Sequence, residues 1–485
     1  MMENKSVISS FVWKFLERGA AQVFALVVQI VLARLLAPED FGILAILLVF
    51  VNLSNVLIQK GFATALVQKN QIEDVDVNTV FWISELIAVF LYILLWCAAP
   101  LVEDIYGSPH LAGYLRVISI SLFAGAFYSI ENSLLIRSMQ FKKMFFSSFA
   151  ATLIAGTIAM ILAYRGMGCW ALIWQNIVQQ ILLSFFSFPF CRWKIKRQCS
   201  KKSFCEVFNF GSNVLLAELL YTGVENLRTL IIGVRYSSAD LAYYDRGQTY
   251  PSVAMRSIYD TVGSVLLPIF SREQNNASKL RQSAQKALGF SFFLIAPCFI
   301  GFAMIAEPFT RLLLTDKWLP CVPYIRLFCI YQLGILPYCV LRNILYAIGK
   351  SKRSLFLEIF KSVFSLGAVV IGMLINPFAI AFFSTLAVWL ATVIYGVEIH
   401  KFLHFNLKEV LSDFMQIVVC CVVMSVAISI VDGFISALVS KIIVDIITGI
   451  VVYVALSILI RSKYYTESFN VVKKMIERMR GKNIE

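Results

Sequence analysis

Two neighbouring hydrophobic stretches, CEVFNFGSNVLLAELLYTGVENLRTLIIGV (residues 205–234) and LAYYDRGQTYPSVAMRSIYDTVGSVLLPIF (residues 241–270), carry charges that a membrane helix normally lacks. In the first stretch the polar residues recur at helical spacing and share one face, and the second has a comparable stripe. An ionisable side chain at bilayer depth costs about 3 kcal/mol, so such residues normally face a bundle interior or a water-filled cavity. We therefore expect both helices to line a solvated cavity. The stripe residues are Glu218, Tyr221, Glu225 and Arg228 in the first stretch and Ser252, Arg256 and Asp260 in the second.

The composition indicates an all-α integral membrane protein. The chain has 485 residues, of which 59% are hydrophobic, and its mean hydropathy is +0.78, whereas soluble domains contain about 45–50% apolar residues. The net charge of +14 does not indicate nucleic-acid binding, because the basic residues lie in short loops between apolar segments. Most of the eleven cysteines lie inside apolar segments without the spacing of metal ligands. No metal and no cofactor are expected.

Apolar segments long enough to cross a bilayer recur along the whole chain. The loops on one side hold most of the lysines and arginines, as in residues 192–202 and 350–353, which places both termini in the cytoplasm and requires an even number of spans. We predict fourteen, at 12–36, 41–59, 79–102, 111–135, 144–164, 168–190, 205–234, 241–270, 286–308, 321–347, 354–375, 377–397, 411–431 and 441–460.

The sequence also contains a weak internal repeat. VLARLLAPEDFGILA (residues 31–45) aligns with IIGVRYSSADLAYYD (residues 231–245), with Asp40 on Asp240 at a turn between two helices. Because six helices separate the copies, the halves have the same orientation and form a parallel repeat about an axis along the membrane normal. The first two helices then correspond to the two polar stretches and should also line the cavity. Their polar residues are Arg18, Gln22 and Gln29 in the first helix and Asn52, Asn55 and Gln59 in the second.

The repeat and the loop charges define the expected domain organisation. We predict an N-terminal lobe of six helices, a basic cytoplasmic linker, a C-terminal lobe of six helices, two additional helices and a cytoplasmic amphipathic tail. These correspond to residues 1–191, 192–204, 205–400, 401–460 and 461–485.

Two pairs of polar residues outside the stripes are given structural interpretations. Glu358 and Lys361 lie one turn apart near the inner interface, and we expect them to pair rather than to act in function. His400 and His404 have a spacing that suits a metal, but the pair lacks a third ligand.

Three segments carry a family resemblance: LERGAAQVFALVVQIVLARLLAPEDFGILA (residues 16–45), GCWALIWQNIVQQ (residues 168–180) and ADLAYYDRGQTYPSVAMRSIYDTVGSVLLPIFSREQ (residues 239–274). Together with the hydrophobic layout, they resemble the polysaccharide exporters of the multidrug/oligosaccharidyl-lipid/polysaccharide superfamily, within it most closely the lipopolysaccharide-biosynthesis group of colanic-acid and teichuronic-acid exporters. The resemblance covers the first twelve helices. It implies two six-helix lobes forming a V around a central cavity that opens alternately inward and outward.

The resemblance also implies a cargo. In this branch an undecaprenyl-diphosphate-linked oligosaccharide is flipped from the inner to the outer leaflet of the bacterial cytoplasmic membrane. A cavity lined with Arg, Gln, Asn and Tyr suits a diphosphate and sugar hydroxyls. The implied partners are this substrate and membrane lipids, with other polysaccharide-assembly proteins as further candidates, and a monomer is expected.

The energy source is expected to be an ion gradient. The chain lacks a nucleotide-binding loop. Glu218, Glu225 and Asp260 are candidates to bind H⁺ or Na⁺; alternatively, they only neutralise Arg228 and Arg256.

Two alternative functions belong to different classes. A cation-coupled multidrug exporter of the same superfamily would favour an acidic lining, whereas the first helix offers Lys14, Glu17 and Arg18 and no Asp. A membrane glycosyltransferase or polymerase would need a sizeable exposed loop, a nucleophile, a metal cluster or a phosphate-binding loop, and the sequence shows none of them. We therefore expect a transporter and not an enzyme.

Overall fold

Long helices joined by short turns make up the computed structural model of the chain, which describes residues 24–60, 66, 72–191, 193–201, 215, 218–219, 222–223, 225–274, 276–404, 407–460 and 464. These residues contain no β-strand. They divide into two compact units, one extending to Asp245 and the other starting at Arg246. This division falls inside a helix, and the lobe boundary at the basic linker stays a prediction.

The first unit contains eight helices among its described residues and the start of a ninth. They are α1 (Phe24–Leu35), α2 (Pro38–Asn55) with a π-helical turn (Val56–Lys60), α3 (Asp74–Tyr106), α4 (Leu111–Ile118), α5 (Ser121–Arg137), α6 (Phe141–Tyr164), α7 (Cys169–Ser187) with a 3₁₀ turn (Phe188–Phe190), α8 (residues 225–235) and the first turns of α9 (Ser238–Glu273). Helices α6 and α7 form its most extensive pairing, and α5 packs on α7 and α3.

The second unit contains the rest of α9 and seven further described helices. These are α10 (Ala277–Met304), α11 (Ala306–Leu313), a 3₁₀ turn (Asp316–Cys321), α12 (Val322–Ala347), α13 (Ser351–Met373), α14 (Pro377–Leu403), α15 (Leu407–Asp432) and α16 (Leu438–Leu459). Helix α12 is the centre of this unit, because it packs on α10 and α14 and is buried along most of its length.

Local sequence signals set the helix ends. Asn276 caps α10 by accepting a hydrogen bond from the Lys279 N–H at 3.1 Å, and Asn376 caps α14 by accepting from the Ala379 N–H at 2.7 Å. Pro377 occupies the first position of α14, where its missing N–H costs nothing.

Eleven of the described helical segments are long and apolar enough to cross a membrane. Large apolar side chains are exposed at helical spacing along several of them, including Leu86 (67% exposed) and Phe90 on α3 and Leu355 and Ile359 on α13. Exposed apolar faces of this extent are untypical of soluble proteins and match contact with lipid. The chain is therefore a multi-pass membrane protein.

The exact count of fourteen spans stays a prediction. About half of each of the predicted spans 12–36 and 205–234 lies outside the described residues, which contain helix α1 from the first and α8 from the second. The predicted span 241–270 is helical within α9 and is not among these eleven segments. The predicted tail at 461–485 lies outside the described residues apart from Tyr464, whose hydroxyl donates to Asp413 Oδ2 at 2.5 Å.

The two aligned turns of the sequence repeat have the same capping geometry. Asp40 accepts a hydrogen bond from the Ala37 N–H at 3.2 Å, and Asp240 accepts from the Ser237 N–H at 3.3 Å. Each carboxylate thus satisfies the free backbone N–H at the start of its helix, as in a capping box.

The same two turns also contact each other within the first unit. A Cβ placed on Gly42 of α2 would lie 1.8 Å from the backbone oxygen of Ser238, so the backbones approach to a distance that only glycine permits. Gly247 plays a similar part in the second unit, where an added Cβ would lie 2.3 Å from Tyr324 Cβ of α12.

The basic segment after α7 folds back onto the start of α3. Trp193 is buried against Phe81 and Phe127, while the Lys196 ammonium lies 2.7 Å from Asp74 Oδ2 and the Lys196 N–H donates to Asn78 Oδ1 at 2.8 Å. Most of the remaining side chains in residues 194–199 are exposed.

Candidate functional site

Two of the predicted polar residues at the end of α2, Asn55 and Gln59, are hydrogen-bonded to each other. Gln59 Nε2 donates to Asn55 Oδ1 at 3.2 Å, and Gly125 of α5 lies directly beside both amides. The bond spans the π-helical turn at the end of α2, a distortion that is frequent at functional sites. Gln29 is half-buried, and its Oε1 has no hydrogen-bond partner among the described residues; Asn52 is exposed. The pair supplies amide donors and acceptors of the kind that sugar hydroxyls require.

Helix α8 supplies a buried cation. Arg228 is only 5% exposed, whereas Glu225, one turn earlier on the same helix, is exposed. The two predicted stripe residues therefore lie in different environments. Glu218 is half-buried. A guanidinium in a largely buried position is a strong donor to a phosphate oxygen, because a low local dielectric strengthens a charge-assisted hydrogen bond.

Ser252 of α9 joins that helix to α12 inside the second unit. Its hydroxyl donates to the Gln248 carbonyl at 2.6 Å and accepts from Gln332 Nε2 at 3.0 Å. Ser252 and Gln332 both lie within predicted membrane spans. Burying a polar side chain without a hydrogen bond costs free energy, and the bond between these two side chains offsets that cost.

The remaining predicted lining residues are outside the described part of the chain. Arg18, Gln22 and Tyr221 are not among the described residues, and the side chains of Arg256 and Asp260 are not described either. Their role in lining a cavity stays a prediction.

Four polar residues form a cluster between α12 and α13, and the sequence predicted only two of them, Glu358 and Lys361. The predicted pair forms, with Lys361 Nζ 2.9 Å from Glu358 Oε2, but Arg342 Nη1 also lies 3.4 Å from Glu358 Oε1. Tyr338 donates its hydroxyl to the same carboxylate and accepts from Lys361 Nζ at 3.1 Å. Arg342 is a charged residue inside a predicted span, and that signal could have identified it.

Glu131 of α5 is a second residue that sequence reasoning missed. It lies inside the predicted span 111–135 and is 0% exposed, and Ser184 of α7 donates to its Oε2 at 3.0 Å. The signal was again a lone acid within an apolar segment.

Comparison with known proteins assigns the family. Residues 31–323 match the family described as "Polysaccharide biosynthesis protein", which covers more than half of the chain, including α2 and α9. The chain belongs to this polysaccharide biosynthesis family.

Two curated relatives match about three quarters of the chain. The chain is 23% identical over 368 residues to the succinoglycan biosynthesis transport protein ExoT of Rhizobium meliloti (strain 1021), covering 76% of this chain and 74% of ExoT. It is also 23% identical over 378 residues to the lipopolysaccharide biosynthesis protein WzxC of Escherichia coli (strain K12), covering 77% and 76% of the two chains.

Among solved structures the chain resembles the lipid II flippase MurJ in an inward closed conformation. The TM-score is 0.71 at 18% identity, and the match covers 94% of this chain and 99% of MurJ. This member of the polysaccharide biosynthesis family therefore has a MurJ-like fold, as the sequence resemblance implied.

Proposed function

We propose that this protein is a flippase that moves an undecaprenyl-diphosphate-linked oligosaccharide from the inner to the outer leaflet of the bacterial cytoplasmic membrane. The observation that carries the proposal is the family match over residues 31–323, which includes three of the four helices predicted to line the cavity over much of their length. The relatives ExoT and WzxC are named for succinoglycan transport and lipopolysaccharide biosynthesis, which supports a cargo of surface-polysaccharide precursors.

The chemistry of the described residues supports an anionic, sugar-bearing head group. Arg228 offers a planar fork of donors to a diphosphate, and the Asn55–Gln59 pair offers neutral donors and acceptors to hydroxyls. The lipid tail remains in the bilayer, so only the head group needs a polar path. Arg18, Gln22, Gln29, Asn52, Tyr221, Ser252 and Arg256 complete the proposed lining.

The transport cycle in this proposal is alternating access between two six-helix lobes, with both termini in the cytoplasm. The close contact of Gly42 with Ser238, at the turns that we assign to the outer side, would separate when the cavity opens outward. An H⁺ or Na⁺ gradient supplies the energy, with Glu218, Glu225 and Asp260 as the sequence-based candidates for the ion.

The experiment is complementation of a bacterial strain that makes a defined surface-polysaccharide precursor, lacks its own exporter for it and carries this gene. We expect surface polysaccharide to return and the accumulated undecaprenyl-diphosphate-linked oligosaccharide to fall. Restored resistance to cationic drugs without any polysaccharide would instead indicate a multidrug exporter. Sugar transfer by the purified protein would indicate an enzyme.

A further inference from the structure

Glu131 is the most completely buried acidic residue in the part of the chain that the structure describes. It lies on α5 and has no exposed surface, and its Oε1 has no hydrogen-bond partner within the described structure. Its Oε2 accepts from the Ser184 hydroxyl at 3.0 Å, and the Cys191 thiol donates to the Glu131 backbone oxygen at 3.6 Å.

Within the described part of the chain, no basic side chain pairs with this carboxyl. The elements packed on α5 are α2, the π-helical turn, α3, α6 and α7. Their described charged side chains form no ion pair or hydrogen bond with the Glu131 carboxyl, and the titratable group in contact with the residue is the Cys191 thiol. Those charged side chains are Glu39 and Asp40 on α2, Asp74, Asp76, Glu85, Glu103 and Asp104 on α3, and Lys142 and Lys143 on α6, while α7 has none.

An ionised carboxylate in this position would be very costly. Moving an isolated carboxylate out of water into an apolar interior costs so much that the group takes up a proton instead. The neutral carboxylic acid avoids this cost, because its O–H can donate to the Ser184 oxygen and burying its uncharged carbonyl oxygen costs less than burying a charge. The Ser184 hydroxyl can both donate and accept, so the same contact serves both protonation states.

We propose that Glu131, held by Ser184, is the proton-binding site through which this transporter is driven, with the acid protonated while its surroundings are dry and ionised once water reaches it. The inference rests on the proposed function, since it names the coupling ion of that transport cycle. Hard metal cations such as Ca²⁺ and Mg²⁺ require about six oxygen ligands, and one carboxyl with one hydroxyl offers too few. A proton needs a single acceptor oxygen, so it fits this site without further ligands.

The site lies close to one end of its helix, which gives the proton a short route. Arg137, the last residue of α5, follows Glu131 by six positions, which corresponds to about 9 Å along the helix axis. Cys191 covers the site at this end and is itself buried, and Ser187 lies buried one turn before it. Displacement of Cys191 would admit water to the carboxyl.

Infrared spectroscopy of the purified full-length protein in lipid nanodiscs at neutral pH tests the site without any cargo. The C=O stretch of a protonated carboxylic acid should be present in the wild type and be lost in Glu131→Gln. Ser184→Ala should shift the band, because it removes the hydrogen-bond partner. Glu307→Gln on α11, where the side chain is 46% exposed, should leave the band unchanged. An unchanged band in Glu131→Gln, with the variant folded by size-exclusion chromatography, would overturn the proposal.

A transport experiment tests the coupling. Inverted membrane vesicles receive fluorescent undecaprenyl-diphosphate-linked oligosaccharide, and movement is followed with and without an imposed pH gradient. We expect the gradient to accelerate transport in the wild type, to have no effect in Glu131→Gln and to retain part of its effect in Glu131→Asp. Acceleration by a Na⁺ gradient alone would contradict the proposal. If the wild type moves no lipid-linked sugar while the infrared band is lost in Glu131→Gln, the cargo is wrong and the proton site stands.

Discussion

At the residue scale, the proposed cargo depends on guanidinium groups rather than on positive charge alone. A planar guanidinium binds two phosphate oxygens at once, whereas an ammonium acts as a point charge. We therefore expect Arg228→Ala and Arg256→Ala to abolish export at near-normal membrane levels, and the two lysine variants to keep only part of it. Surface polysaccharide in the complemented strain and immunoblots of membranes measure the two quantities.

The matched control for these variants is Arg34→Ala, since Arg34 is an exposed arginine at the end of α1. This variant should leave polysaccharide export and membrane levels nearly unchanged. Full export by both alanine variants would exclude a cationic cavity, even though the family assignment would stand.

We assign a structural role to the Glu358 carboxylate. The Glu358 side chain is 24% exposed and forms ion pairs with Arg342 and Lys361. Replacing the carboxylate by a neutral amide removes both ion pairs from a half-buried position. Glu358→Gln should lower the free energy of unfolding by about 1–3 kcal/mol. Thermal unfolding in detergent measures the effect.

Glu307→Gln is the control for this stability change. Glu307 pairs with Arg311 at 3.2 Å, but both side chains are more than 40% exposed. Because exposed ion pairs contribute about 0–1 kcal/mol, the control should unfold close to the wild type. Equal losses in the two variants would mean that the α12–α13 cluster stabilises no more than a surface pair.

At the element scale, the crossing of α2 and the α8–α9 turn depends on one glycine. The Cβ of Gly42→Ala would lie 1.8 Å from the Ser238 oxygen, which is backbone and unable to swing away. The variant should therefore separate these turns and change export, with a fall in thermal stability. A cysteine pair placed in the two turns should cross-link more slowly in this background.

Gly113→Ala in α4 is the corresponding control, because its added Cβ meets no atom within 4 Å. It should keep or slightly raise stability, as alanine favours a helix over glycine. Unchanged cross-linking in Gly42→Ala would show that the crossing is not tight.

The sequence predicted elements well where local chemistry dictates them. The aspartates of the repeat, Asp40 and Asp240, identified two turns that the structure builds with the same cap. The pairing of Glu358 with Lys361 was also predictable, since the residues are one turn apart. Arg342 and Glu131 were missed because their partners lie on other helices, and wheel analysis of one segment does not show which helix is adjacent.

At the scale of the whole molecule, the all-α membrane fold followed from composition and the spacing of apolar segments. Eleven spans among the described residues and the MurJ-like fold confirm that class. The V-shaped lobes and the central cavity stay predictions, because periodicity gives the polar face of each helix and not the arrangement of helices around it. For the same reason the sequence did not predict the hydrogen bond between Gln332 and Ser252, whereas the lining role of Ser252 stays a prediction.

The most direct test of the account is flipping by the purified protein. Proteoliposomes containing the full chain and a fluorescent undecaprenyl-diphosphate-linked oligosaccharide are treated from outside with a membrane-impermeant glycosidase, and the cleaved fraction is followed over time. We predict that cleavage passes beyond the half initially exposed at a rate that depends on the protein, and that Arg228→Ala in matched liposomes stays near the protein-free level. A wild-type rate equal to that of protein-free liposomes, with the protein shown to be folded and inserted, would contradict the account.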